Sequence, residues 1–145
     1  MADPTVNPGY KGKFCIGSVT VGAMKKWGPN ALTNKLINSE VFADEFEKFE
    51  YGQGNGGKVS ISGFYDATDT TGQAVLMAAC SGKTKLNTTL TNDPRLYYSA
   101  TGYFELSTGA GCLVESVEIG EADLSNLVPI TFTLQVSGGY FQKHA

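Results

Sequence analysis

Residues 51–66, YGQGNGGKVSISGFYD, hold two patterns able to carry nucleotide chemistry. G-x-x-x-x-G-K runs from Gly52 to Lys58, and G-x-G-x-x-G takes in Gly52, Gly54 and Gly57. A phosphate cradle works by feeding a glycine turn into the N-terminus of a helix, whose free N–H groups and dipole face the anion. It also needs Ser or Thr after the lysine to hold magnesium. Val59 stands there instead, and the residues beyond it alternate as a strand. Both nucleotide readings fail for lack of a helix. His144, the only histidine, lies near the chain end and reads as solvated; no triad or histidine zinc site can be built. Asp66 and Asp69 lack the remaining ligands of a calcium loop and read as favourable charges before a helix N-terminus. Cys15, Cys80 and Cys112 have no C-x-x-C pairing and read as inert buried thiols. No catalytic residue, cofactor or metal site is expected.

The 145 residues suffice for one domain, and charged residues make up only 17% of them. With 18 glycines and many Thr, Ser and β-branched residues, the composition is that of a β-rich domain. The net charge of −3 and the scatter of the 11 Lys and Arg exclude a basic stripe for nucleic acid. The N-terminus lacks a basic-then-apolar signal segment, and no run of about 18 apolar residues suggests a membrane span. A reducing cytosol is the expected folding compartment.

Residues 1–12 read as an extended arm, 13–137 as one β domain and 138–145 as a C-terminal tail. KFCIGSVTVGAMKKW reads as a strand with a bulge or tight bend near Gly17, and ALTNKLIN as another strand. Residues 40–50 leave helix and projecting acidic loop both open: Phe42, Phe46 and Phe49 have helical spacing, interleaved with acids. The glycines that follow read as a flexible return that folds this segment back. Alternation predicts strands KVSISGFYD (Val59, Ile61 inward), PRLYYSATGYFEL, CLVESVEIG (Leu113, Val117 and Ile119 in phase) and ITFTLQVSG (Ile130, Phe132, Leu134, Val136 inward). Residues 71–81 read as the one helix, with Thr70 and Gln73 as a capping box, Val75, Leu76 and Ala79 as its apolar face, and Gly82 as a left-handed stop. The expected architecture is mainly β: an antiparallel sandwich or rolled barrel with one short flanking helix, two arms and a long loop.

The order of segments resembles the tail tube (major tail) proteins of long-tailed bacteriophages. The likeness rests on FADEFEKFEYGQGNGGKVSISGFYDATDTTGQAVLMAA, where a polar loop and a Gly-rich turn lead into a "vsisGfyD" strand, a D-x-x-D link and a "GQaaLxaA" helix. VESVEIGEADLSNLVPITFTLQVSGGYF is similar to the family's closing pair of strands. The resemblance spans roughly residues 13–140 and departs from the family in the Gly-rich loop. It implies hexameric rings stacked into a hollow tube in the virion, made in the host bacterial cytoplasm. The implied partners are further copies of the chain, a tape measure protein, a tail terminator and tail-tip proteins. DNA passes through without specific binding, and the chain inserts in no membrane.

On that resemblance, Asp44, Glu45, Phe46, Glu47, Phe49, Glu50, Tyr51, Gly52, Gly54 and Gly57 form a candidate inter-subunit loop. Asp44, Glu47, Glu50, Glu105 and Glu118 are candidate lumen-facing acids, since a bore rich in Lys and Arg would hold DNA by counterion release. Glu45 and Glu115 are further candidates, Glu115 the weakest because it shares the phase of Leu113 and Val117. Two other classes compete: another phage structural β protein at the tail end or on the capsid, and a monomeric ligand-binding sandwich. Against the last, Trp27 sits alone beside a Gly-Pro turn and offers no aromatic platform.

Overall fold

The computed structural model describes residues 8–43, 45–87, 93–125 and 127–144. After a 3-10 turn at Gly9–Lys11 come β1 (Lys13–Ile16), β2 (Val19–Thr20), β3 (Met24–Trp27), β4 (Thr33–Asn38), β5 (Phe49–Asn55) and β6 (Lys58–Phe64). The helix α1 (Gln73–Ser81) precedes β7 (Lys85–Asn87), β8 (Pro94–Tyr97), β9 (Tyr103–Leu106), β10 (Gly111–Ile119), β11 (Pro129–Ser137) and β12 (Phe141–Lys143).

Two five-stranded sheets form a sandwich, ordered β12-β9-β8-β1-β2 and β3-β6-β11-β10-β7. Every described strand pair is antiparallel. The strict alternation of β11 buries Ile130, Phe132, Leu134 and Val136, and that of β6 buries Val59 and Ile61. These meet Phe14, Ile16, Leu96 and Leu106 from the opposite sheet in one core. The helix packs against β10 and adds Leu76 and Ala79 to that core, while Val75 is only partly buried.

Four expectations give way to tertiary structure. The segment from Lys13 to Trp27 is three strands: Gly17, at φ +60, makes a tight turn between β1 and β2, after which β3 crosses into the second sheet. Its apolar residues on both faces reflect membership of two layers. The stretch from Pro94 to Leu106 is likewise two paired strands, because Ser99 accepts a hydrogen bond from Gly102 N at 2.8 Å and closes a turn. A bulge between Val114 and Ser116 in β10 resets its phase. Cys112 and Val114 are therefore buried before it, Val117 packs on the core after it, and Leu113 points outward, 43% exposed. Finally, the C-terminal tail contains β12, which pairs with β9 as part of the first sheet.

The capping box is also replaced. The helix begins at Gln73 with Gly72 as N-cap, so Thr70 lies too early to cap and Gln73 too early to reach back. Asp69 does the work: its carboxylate accepts from the N–H groups of Gly72 (3.0 Å), Gln73 (3.1 Å) and, across the fold, Gly22 (2.7 Å). The Gln73 side chain is buried, accepts from Asp66 N and donates to the carbonyls of Gly22 and Phe64. At the other end Gly82 stays right-handed, and Lys83 takes the left-handed conformation at φ +56. Asp69→Ala is expected to cost about 2–3 kcal/mol, because hydrogen bonds to a charged group are the strong ones. Exposed Thr70→Ala should stay within about 0.5 kcal/mol. Urea melts of the two variants decide: equal losses would restore the Thr70 cap.

Candidate assembly surface

The long loop is a hairpin. Among the described residues β4 and β5 pair only with each other, and Leu36 faces Tyr51, Ile37 faces Glu50, and Asn38 faces Phe49. Leu36, Phe49 and Tyr51 thus share one face, which the described residues leave largely open: they are 57%, 52% and 81% exposed. The described residues between the strands, 39–43 and 45–48, form no helix. Phe42 and Phe46 stand out there at 103% and 78% exposure. Glu40, Glu45, Glu47 and Glu50 are exposed beside them, while Asp44 lies outside the described residues.

The glycines do not form a loose return. Gly52 and Gly54 lie within β5. Gly57 has φ +81, and a Cβ there would run into the Ala31 carbonyl, so the position takes glycine alone. Its carbonyl accepts from Val136 N (3.0 Å) and Gln135 Nε2 (3.2 Å), and Asn30 Nδ2 donates to Gly56 O (3.1 Å). These bonds pin the base of the hairpin to β11. Lys58 then opens β6, so the phosphate-loop pattern leads into a strand.

The other predicted acids are not brought together. Glu118 pairs with Thr131 on the outer face of the second sheet. Glu105 lies on β9 in the first sheet, where His144 Nδ1 approaches its Oε2 at 3.0 Å. His144 is thus no simple solvated tail residue: its ring stacks on Tyr103 at 4.4 Å. Arg95 covers the same tyrosine at 4.9 Å and pairs with Asp93 at 3.3 Å. Burial raises the Asp93 carboxyl above its usual range, against the opposing pull of Arg95. Trp27 donates from Nε1 to Tyr97 O at 2.9 Å and meets Phe104 edge-on, which makes it a packing residue. Sequence reasoning missed Leu36 and Ile37; their equal spread over both faces of a strand was the available signal.

Among the described residues no cluster of three or more potential metal ligands occurs, and no helix is long and apolar enough to cross a membrane. Cys15 and Cys112 are buried and Cys80 is half-buried, all as free thiols. Burial pushes the Cys112 thiol up to about 12. At pH 8 only about one part in ten thousand is thiolate, the reactive form. A thiol-exchange reagent should therefore label Cys80 first in the native protein and leave Cys112 untouched until denaturant is added. Because the folded protein holds that proton more tightly, the linked stability is complete below the ordinary thiol value and is lost as pH rises toward 12.

The geometry defines a class: a two-sheet sandwich with one flanking helix and a projecting, apolar-faced hairpin. No family model and no curated protein matches the chain. Solved structures do. The chain aligns with one from the tail of an empty gene transfer agent particle, refined with helical C6 symmetry, over 97% of its own length and 100% of the other, with TM-score 0.68 at 11% identity. It aligns with the SPP1 tail tube over 96% and 80% of the two chains (TM-score 0.63, 13% identity). It aligns with the tube-terminating cap of the anti-feeding prophage over 99% and 95% (TM-score 0.71, 13% identity). The protein therefore has the fold shared by tail-tube and tube-terminating subunits.

Proposed function

We propose that the chain is a structural virion protein that polymerises as stacked hexameric rings into a hollow phage tail tube, the conduit for DNA delivery. The observation that carries this reading is the β4–β5 hairpin. It holds a contiguous exposed apolar surface, which a soluble monomer rarely leaves bare. The shared fold and the C6 symmetry of one structural neighbour support sixfold assembly. The tape measure, tail terminator and tail-tip proteins are the further partners, and synthesis takes place in the host bacterial cytoplasm.

The outer face of the second sheet mixes hydroxyls with both signs of charge: Lys58 lies in line with Ser60 and pairs with Glu115, and Lys26 lies beside Ser62. The outer face of the second sheet presents Ser60, Ser62, Thr131 and Thr133, in register with one another, and Glu118 beside Thr131. Glu118 and Glu105 lie on different sheets, so a bore lined by one sheet takes at most one of them. Asp44, Glu47 and Glu50 then belong to contacts between subunits.

A second reading, a tube-terminating ring, is favoured by the likeness to the anti-feeding prophage cap. Electron microscopy of the concentrated protein separates the two. Tubes with sixfold cross-section are expected; isolated rings would select the terminator, and dispersed monomers at every concentration would overturn both.

A further inference from the structure

An open groove of about 400 Å³ lies beside the C-terminal turn of α1. Ala79, Cys80 and the outward-turned Leu113 provide apolar lining, and Lys58, Lys83 and Glu115 are charged residues along it. Lys85, whose backbone pairs with Leu113, adds another cation nearby. Lys58 meets Glu115 at 2.9 Å, but both side chains are about half exposed, so the pair is a weak one, open to a competing carboxylate. Three lysines against one glutamate leave this groove net positive on an acidic protein.

The hairpin is its chemical complement. Residues 33–55 hold five acids and two lysines, so this segment alone accounts for the chain's net charge of −3. Its tip presents Phe42 and Phe46 with Glu45 and Glu47 around them, aromatic knobs inside an acidic rim. The groove offers the inverse, an apolar floor inside a basic rim. A chain cannot dock into itself this way. The hairpin leaves the body at Gly56 and Gly57, next to Lys58 at the groove's edge, and its base is pinned by the Gly57 contacts. A strand of seven residues carries the tip roughly 20 Å from that base.

We propose that the groove of Lys58, Cys80, Lys83 and Leu113 receives the hairpin tip of a second copy of the chain. This rests on the tube reading and names the contact within it. The two surfaces differ, so the contact is heterologous: it propagates from copy to copy and closes only as a ring, which a twofold dimer contact does not do.

Charge exchange tests it. One variant carries Lys58→Glu and Lys83→Glu; a second carries Glu45→Lys, Glu47→Lys and Glu50→Lys. All five positions are exposed, so both variants should keep the wild-type melting transition. Each alone should pellet at least about tenfold less assembled protein than wild type, since like charges face each other at the contact. Mixed one to one, they should assemble again. In a second arm, Phe42→Cys and native Cys80 are bridged by a short bis-maleimide, which should give a ladder of covalent multimers that Cys80→Ser abolishes. Assembly by either variant alone, failure of the folded mixture, or Phe42→Cys tubes that give no ladder would overturn the docking site and leave the tube reading standing. Wild-type protein that never assembles would overturn the tube reading itself.

Discussion

Replacing residues 33–55 by a short Gly-Ser link is expected to abolish assembly while leaving a cooperatively folding monomer. The hairpin can be removed because it contributes nothing to the core: β4 is exposed throughout, and none of the strand residues belongs to the buried cluster. The bonds at its base run from Asn30, Gln135 and Val136 to Gly56 and Gly57, all of which the deletion retains. The melting temperature should shift by no more than a few degrees, about what 1 kcal/mol produces in a domain of this size. Sedimentation should instead change completely, from pelletable polymer to a monomer at every concentration tested. Loss of the melting transition would show that the hairpin supports the body. Continued polymerisation would show that the exposed aromatic residues serve something other than assembly.

Phe132→Ala is expected to have the largest effect on stability, about 3–5 kcal/mol by transfer and cavity terms together. Phe132 is fully buried on β11, between its register partners Ile61 on β6 and Val117 on β10. A cavity there opens in the middle of the second sheet, where neighbours on both sides are held by strand pairing and can collapse little. Against a typical total of about 5–15 kcal/mol, this removes a large share. Leu113→Ala is the contrasting case. Plain alternation along CLVESVEIG would place Leu113 inside, but the bulge before Ser116 turns it outward. Its truncation should therefore change stability by less than about 0.5 kcal/mol. Urea melts of both variants check the bulge directly: a Leu113→Ala loss as large as that of Phe132→Ala would mean the register is wrong.

That pair of positions shows how far a sequence can be read. Along β6 and β11 the period-two signal is unbroken, and the buried residues are the ones it names. The helix was legible to within two residues, Gln73–Ser81 against 71–81, although neither its cap nor its left-handed stop is the residue the pattern named. The failure of the phosphate-loop motif was legible too, because Val59 and the alternating strand after it remove both magnesium ligand and helix. The acidic, aromatic character of residues 40–50 was visible, although their form was not.

The remaining decisions needed distant partners. A bulge, a sheet crossing and a turn inside an alternating run leave the local pattern almost unchanged while moving side chains between faces. Leu113 and the strands from Lys13 to Trp27 show this. Asp69 replaces Thr70 as the cap because Gly22, 47 residues away, brings a third N–H to the same carboxylate. Gly57 is fixed by Ala31 and Val136, not by its glycine neighbours. By itself, then, the sequence determined which long strands alternate, where the helix lies and that the net charge sits in one segment, because those are properties of neighbouring residues. Only the tertiary structure decided which sheet each strand joins, which face Leu113 takes, and that the acidic segment is a hairpin held clear of the body. Each of those depends on contacts between residues far apart in the chain.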